Sequence, residues 1–436
     1  MEGDPTSVVG ENEINLDRGI DEMELQVRRM STFGMGMEIR ISDHARPEEL
    51  EKRQQICALV LLCYIAHSSH LMRTMSKYTS SAISDENSEN ERRSVQLMAK
   101  LVQTEKCRHI IRMSPQAFLK LCEKLRSSAG MKDSTRVTVE GLVAEFLYIV
   151  GQDAKSRTKP FLFHQSGETF NRRFHYVLNA IMSLESEFVP RPSGVDVPSQ
   201  ILNDSKFYPY FKDCIGVIGI AHSRVQVPVK DVPRYCGRRG YPTQIIFATC
   251  DFDMKFTYVL VGWEGSASYP RVLENAFTRE DSLEVPEGKY FIARAGFTPK
   301  PGVLTPYRGI SYCLKQYSTQ EPQNYQELFN FRHALLQNVI ERAFGVLKKR
   351  FPITTGENES YFSVKTMKHI IITCCVLHNF LMVTDIDEQI IAEVDRELLH
   401  DKSRSVSLKR KREVDSEEKP SLSKTIALEM WNANEV

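Results

Sequence analysis

Apolar residues along the chain fall into two kinds of block, short β-branched runs and longer segments at helical spacing, and their order predicts a helical region followed by an α/β region. The run at 213–229, DCIGVIGIAHSRVQVPV, predicts a strand buried on both faces in the middle of a mixed sheet. Residues 242–250 (PTQIIFATC) and 256–262 (FTYVLVG), joined through Asp251-Phe-Asp-Met-Lys255, predict an antiparallel hairpin. A short helix at 271–278 and a strand at 289–293 (KYFIA) follow, ahead of a Gly/Pro-rich loop at 296–302. The strongest helical period lies at 327–351, where Leu336, Ile340, Phe344 and Leu347 share a side and Lys348-Lys-Arg350 complements the negative end of the helix dipole. Pro352 stops it, and a further apolar helix at 364–382 ends in Leu377-His-Asn-Phe-Leu381. Strands interspersed with helices predict an α/β domain with a mixed sheet over 200–384.

The first half patterns differently. Residues 1–50 show no sustained period and predict a disordered arm. A helix with a strongly apolar centre is expected at 51–74, and the polar stretch at 80–93 closes a 51–95 segment of helix and linker. From 96 to 190 the period is helical. Ser114 and Pro115 open a helix over 114–127 with Phe118, Leu119, Leu121, Cys122 and Leu125 along one side. Residues 139–150 repeat apolar positions at Leu142, Phe146 and Ile149, and a basic loop occupies 155–160. A last helix, opening at 166, has an inner stripe of Phe170, Phe174, Val177, Ile181 and Leu184 and an outer face with Arg172, Arg173 and His175. Basic residues near the start of the last helix of a small cluster suit a helix-turn-helix that touches DNA, and equally suit a bundle with a solvated face. The Pro/Gly-bearing stretch at 190–198 is read as a connector, and 385–436 as a charged tail.

Composition adds bounds. A chain of 436 residues, 42% hydrophobic and 26% charged, has the balance of a globular protein with a substantial core. With 57 basic and 56 acidic residues the net charge is +1, so affinity for nucleic acid would have to come from local clusters. One such cluster is Lys409, Arg410, Lys411 and Arg412, four consecutive basic residues that read as a nuclear localisation patch, or as a solvated charge run. The ten cysteines form no CxxC pair, which suits free thiols in a reducing compartment. The acidic start of the chain is the wrong composition for a secretory signal, and the apolar run at 56–66 is short for a bilayer, so no membrane contact is expected. Cys374, Cys375 and His378 lie within one helical turn in an apolar stripe, which reads as core packing rather than a zinc site, and His67 and His70 carry no signal. No Gly-rich phosphate loop, HExxH or nucleophile elbow is present.

The ordered strings CIGVIGIAH, VPRYCGRRGYPTQ, ATCDFDMKFTYVLVGWEGSAS, VPEGKYFIARAGF, LTPYRGISY, NVIERAFGVLKKRFPI and CCVLHNFL are similar to the plant branch of the PIF/Harbinger transposases and their host-derived proteins, the antagonist-of-heterochromatin-protein-like group among them. CRHIIRMSPQAF and FHQSGETFNRRFHYVLNAIMSL resemble the family's N-terminal part, so that the resemblance covers roughly 105–382. It implies an RNase H-like nuclease domain of the DDE superfamily. Phosphodiester displacement in such a domain uses two divalent ions, magnesium or manganese, held about 4 Å apart by converging carboxylates.

Position by position, the family's carboxylates are largely missing. The first-strand aspartate falls on Gly219, with His222 keeping the family histidine; the second falls on Tyr269 and a further one on Arg294, while Glu341 keeps its carboxylate. Arginine offers fixed positive charge and no acceptor, so the resemblance implies a degenerate site without metal or other cofactor, a pseudo-nuclease. Asp251, Asp253 and Glu264 are the acidic residues that could substitute, but they lie outside the family's catalytic positions, and a hairpin turn and a surface strand end explain them well. The family further implies a nuclear protein that joins a Myb/SANT-like DNA-binding protein and chromatin modifiers, an interaction subunit in a transcription-regulating complex. An active metal-dependent nuclease or transposase, and a DNA-binding factor using the helical region, are the other readings.

Overall fold

The computed structural model describes residues 106–134, 138–152, 167–310, 321–356, 362–401 and 422–433. The arm at 1–50, the helix and linker at 51–95, the basic loop at 155–160 and the side chain of Phe170 lie outside the described residues. So does the whole basic patch, Lys409, Arg410, Lys411 and Arg412, and its reading as a nuclear localisation signal stays one of sequence alone.

Five strands form one sheet: β1 Cys214–Arg224, β2 Thr243–Cys250, β3 Phe256–Glu264, β4 Tyr290–Ala293 and β5 Val303–Leu304, in the order β3-β2-β1-β4-β5. The β1–β2 and β2–β3 pairs are antiparallel and the β1–β4 and β4–β5 pairs parallel, the arrangement expected of an RNase H-like domain. Every residue of β2 is buried, which is why its sequence reads as an apolar run rather than an alternation. In β1, Val217 and Ala221 enter the larger core while Ile218 enters a smaller one on the opposite face. Ile215, three residues before Ile218, shares its face because the register slips between Cys214 and Gly216. Gly216 holds that bulge with φ 155°, a conformation that strains any other residue.

The smaller core is closed by α5, Tyr269–Thr278, through Val272, Leu273 and Ala276. The larger face is covered by α6, Tyr325–Arg350, and α7, Val364–Thr384. Helix α6 starts two residues earlier than its apolar period suggests because Asn324 caps it: Asn324 Oδ1 accepts from Glu327 N at 2.9 Å, and Glu327 Oε1 accepts from Asn324 Nδ2 at 3.2 Å. Helix α7 is long and apolar enough to cross a bilayer, yet 72% of its apolar window is buried inside the protein. It is a core helix whose two sides both meet protein.

The helical region comprises α1 Lys106–Ile111, α2 Pro115–Ser127, α3 Val139–Gln152 and α4 Gly167–Met182. Ser114 caps α2, its Oγ accepting from Ala117 N at 3.3 Å. Phe118, Leu121, Cys122 and Leu125 are buried as expected, but Leu119 is 42% exposed. It sits one position off the apolar stripe. Phe118, Phe146 and Phe174 join the same hydrophobic core as Ile340, Phe344 and Ile371, so the helical region and the sheet share one interior across the connector at 190–198. Asp385, at the end of α7, ties them further by accepting from Arg108 Nη2 at 2.6 Å and from Ser114 N at 2.7 Å.

The segment read as a charged tail contains two helices, α8 Glu388–Asp401 and α9 Leu422–Asn432, both packed on α6. Arg342 Nε donates to Asp395 at 2.7 Å, and Lys349 Nζ reaches Glu393 at 3.2 Å and Glu397 at 2.8 Å. Glu393, Asp395 and Glu397, which resemble part of a solvated run, are therefore in inter-helix pairs. Gly345 lets α8 approach, since a Cβ there would stand 2.5 Å from Val394 Cγ1. The end of α6 is not simply a basic cap either: Arg350 is 1% exposed, and its Nη2 donates to the Asp385 carbonyl at 3.3 Å.

Candidate functional site

Strand β1, the loop after β4 and the middle of α6 converge on one end of the sheet. Helix α6 is registered on β1 by Gln337, whose Nε2 donates to the Ile218 carbonyl at 3.2 Å. One residue further along β1, Gly219 faces the helix. A Cβ there would lie 3.0 Å from Ile340 Cγ2 and 3.1 Å from Phe344 Cε2, with Ile340 Cγ1 nearer still. The position of the first family aspartate is therefore filled by the side chain that precedes Glu341.

Arg294 follows Ala293, the β4 residue paired with Ile218. Its Nη2 lies 3.2 Å from Glu341 Oε1, the arginine half exposed and the glutamate three-quarters covered. The one retained carboxylate is thus held by a guanidinium that stands where another carboxylate would be. A half-exposed pair of this kind contributes at most about 1 kcal/mol. Its chemical effect is larger, because it places a permanent positive charge beside the oxygen a divalent ion would need.

Tyr269 opens α5 on the opposite face of β1. Its ring packs tilted against Phe297 at 5.7 Å and His222 at 6.5 Å, and a Cβ at Gly296 would be 3.2 Å from it. His222 Nδ1 pairs with Thr243 Oγ1 at 3.1 Å. Burial, and then the charges of Arg239 and Lys348, push the imidazole down to about 4, so it is neutral at physiological pH. The structure thus joins Arg294 and Glu341 directly, sets Gly219 beside the latter's neighbour, and turns Tyr269 and His222 to the other side of the strand.

The three acidic residues considered as substitutes are engaged elsewhere. Asp251 Oδ1 accepts from Asp253 N and Lys255 N, both at 2.9 Å, which builds the β2–β3 turn. Asp253 is bound by Gln200 and stands 3.4 Å from Lys255 Nζ, and Glu264 pairs with Arg234. Among the described residues, no three His, Cys, Asp or Glu side chains gather so as to hold a metal ion. The residues present do not fit the two-ion site of the family. Cys374, Cys375 and His378 are fully buried in α7, with His378 Nε2 donating to the Met254 carbonyl at 2.9 Å. The seven described cysteines are all free thiols.

Arg172, Arg173 and His175 lie on the outer face of α4, Arg172 exposed and the other two half-buried, while Phe174 stacks on Phe362 at 5.0 Å and anchors the inner face. That outer face continues onto the start of α7, where His369 lies in the combined field of Lys368, Lys365 and His175. Sequence reasoning missed two further groups: Asn379, described below, and the cations Arg239 and Lys348 near His222. Lys348 lies seven residues after Glu341 on α6, a signal of shared face that the helical period already carries.

A five-stranded mixed sheet of this order, with helices on both faces, is an RNase H-like fold. Residues 218–379 match the family described as DDE superfamily endonuclease, and residues 92–183 match one described only as a domain of unknown function. Residues 218–379 are thus similar to DDE superfamily domains, and the relatives are of the Harbinger type. Human HARBI1, named as a candidate nuclease, is 24% identical over 215 residues, 48% of this chain and 58% of the relative. The Arabidopsis thaliana ALP1-like protein is 27% identical over 206 residues, 43% of this chain and 47% of its own length. Antagonist of Like Heterochromatin Protein 1, from the same plant, is 24% identical over 178 residues, 39% of this chain and 44% of the relative. The matched part thus spans less than two thirds of each of these relatives. No solved structure matches the chain.

Proposed function

We propose that this protein is a Harbinger-transposase-derived protein without nuclease activity, acting in the nucleus as an interaction subunit of a chromatin-associated, transcription-regulating complex. The observation that carries the inactive reading is the Arg294–Glu341 pair at 3.2 Å, which sets a guanidinium against the retained carboxylate. The occupied space beside Gly219 adds to it. In-line phosphodiester displacement needs two closely spaced divalent ions, and a single carboxylate already paired with arginine is a poor holder for them. The nuclear and chromatin part rests on the basic patch of Lys409, Arg410, Lys411 and Arg412 and on the relative named for antagonism to a like-heterochromatin protein. A Myb/SANT-like DNA-binding protein and chromatin modifiers are the partners this reading calls for.

The test has two arms. Tagged full-length protein is recovered from nuclei and its companions identified by mass spectrometry, and purified protein is incubated with plasmid DNA in magnesium or manganese. A stable set of chromatin proteins and intact plasmid are expected. Metal-dependent cutting that disappears in Glu341→Gln would sink the inactive reading, and exclusion from nuclei with residues 402–436 intact would sink the nuclear one.

A second reading has its own observation: the basic face that runs from Arg172, Arg173 and His175 to Lys365 and Lys368. It supports DNA contact through the helical region. Arg172→Ala/Arg173→Ala should then weaken duplex binding and flatten its salt dependence, and unchanged binding would remove the idea.

A further inference from the structure

Helix α6 is walled on both sides. Gln337, Ile340 and Phe344 face the sheet. At about 100° per residue, Phe331, Leu335 and Val339 point the opposite way, as do Arg342, Gly345 and Lys349 further along. No residue of α6 is exposed, so this outer side is covered along its whole length. Helix α8 covers the stretch from Arg342 to Lys349. Helices α8 and α9 each pack on α6 rather than on one another, which leaves to α9 the earlier stretch, with its apolar line of Phe331, Leu335 and Val339.

The two helices are held differently. Helix α8 follows α7 directly, through Asp385 and Asp387, which Arg108 grips, and the Arg342 and Lys349 ion pairs fix it to α6. Helix α9 is separated from α8 by residues 402–421, and its buried residues, Ile426, Ala427 and Met430, are all apolar. They form one stripe with the half-buried Ser423 and Trp431, the spacing of a helix laid in a groove. Ala427, in the middle of the stripe, has no bulk to hold the two axes apart, and methionine adapts to surfaces of varied shape. Leu422 and Leu428 stay outside the stripe and exposed. At 11 residues, α9 is shorter than the roughly 12–15 that an isolated helix needs in water, so its fold depends on the groove.

We propose that the outer face of α6 is a docking groove for an amphipathic helix of a partner protein, and that α9 occupies it in cis until the partner displaces it. The seated α9 states what the groove reads: apolar residues at i, i+1 and i+4 of a helix whose other side is polar. A helix tethered to its own groove competes as though it were present at about 1 mM. A partner helix must therefore outbind α9 or be brought close by a second contact, and meanwhile the apolar line on α6 stays out of water, where it would otherwise promote aggregation. The choice of a partner protein as the occupant rests on the reading of this protein as an interaction subunit; the exchange of helices does not.

The chain has two tryptophans, Trp263 and Trp431, so in full-length Trp263→Phe the emission reports on α9 alone. The probes are a synthetic peptide of residues 420–434 carrying Trp431→Phe, a peptide of unrelated sequence with the same apolar spacing, and the first peptide further carrying Ile426→Asp and Met430→Asp. The first two should shift the Trp431 emission to the red with midpoints of about 1 mM, and the third should leave it unchanged at that concentration. In full-length Ile426→Asp/Met430→Asp, whose fold circular dichroism verifies, the first peptide bearing fluorescein should bind at least about tenfold more tightly than it binds the parent, and adding Leu335→Ala should weaken that binding by at least about fivefold. Emission that no peptide shifts, or equal peptide binding by parent and variant, would overturn the proposal. Displacement by the 420–434 peptide alone, together with a concentration-dependent dimer that Ile426→Asp/Met430→Asp abolishes, would assign the groove to a second copy of the chain and overturn the partner. Chromatin proteins recovered from nuclei equally by the parent and by the double variant would leave the interaction-subunit reading standing and overturn the groove as their site.

Discussion

Arg294 and Glu341 lie 3.2 Å apart, one just past β4 and the other midway along α6, on the two elements that in a metal-dependent relative would each supply a carboxylate. Reversing that one charge tests the account. A ligand that binds only the native state raises the melting temperature in proportion to the logarithm of its concentration. Millimolar manganese should therefore leave the melting temperature of the parent unchanged and raise that of Arg294→Asp, which places two carboxylates at the same point. Differential scanning fluorimetry across a manganese titration reads this directly. Equal stabilisation of parent and variant would show that the parent binds the ion.

Gly219 makes a second prediction, about stability. A methyl group there would press on Ile340 and Phe344, which are 1% and 6% exposed and have no open space to move into. Gly219→Ala should destabilise the protein by about 1–3 kcal/mol, the usual effect of overpacking a dense core. In an Ile340→Ala background the same change should cost much less, because the obstructing branch is gone. Urea unfolding of the four proteins in the cycle measures the coupling. Additive effects would mean that Gly219 is not in contact with α6.

Much of this was legible in the chain. The unbroken apolar run of β2 and the period of α6 follow from local pattern, because full burial of a strand and one-sided burial of a helix each leave a mark in sequence. The identities at 219, 269, 294 and 341 were legible from motif order. What lay beyond reach depended on register between distant segments. That Ile340 fills the space beside Gly219, and that the charge of Lys348 reaches His222, follows from how α6 lies on β1. Helix α8 was missed for a different reason: Asp395, Glu393 and Glu397 look solvated until Arg342 and Lys349 are placed opposite them. Leu119 shows the reverse error, an apolar residue counted into a stripe it does not share.

Buried histidines give the protein an acid limit. His333 and His378 are fully buried, and burial pushes the first down to about 4 and the second to about 3; His222 is likewise held near 4. In the unfolded chain each would titrate near 6.5. Because the folded values are depressed, the native state binds fewer protons, and stability from these groups is full above pH 6.5 and falls as pH drops towards 4. Unfolding midpoints should decline through that window, before most carboxylates titrate. His333→Gln and His378→Gln should each flatten the slope there while lowering stability at pH 7. A midpoint independent of pH between 6.5 and 4.5 would contradict the burial of neutral rings.

Asn379 supplies the last prediction. Its Nδ2 donates to the carbonyls of Phe188 and Phe256, both at 2.6 Å, and its Oδ1 accepts from Phe256 N at 2.8 Å. One buried amide thus takes the place of a neighbouring strand at the start of the edge strand β3, and ties it to the chain leaving the helical region. Neighbouring His378 holds the Met254 carbonyl in the same turn, where Met254 adopts a φ of 62°. Replacing Asn379 by leucine keeps the volume but leaves three backbone groups without partners, each costing about 1–3 kcal/mol when shut off from water. Asn379→Leu should therefore lose several kcal/mol in denaturant unfolding, and the Phe256 amide should exchange its hydrogen far faster than the amides of β2. Asn379→Asp keeps the acceptor for Phe256 N but loses both donors, so it should protect that amide without restoring stability. If the leucine variant were as stable as the parent, the motif's His-Asn pair would have to owe its place to something other than this clamp.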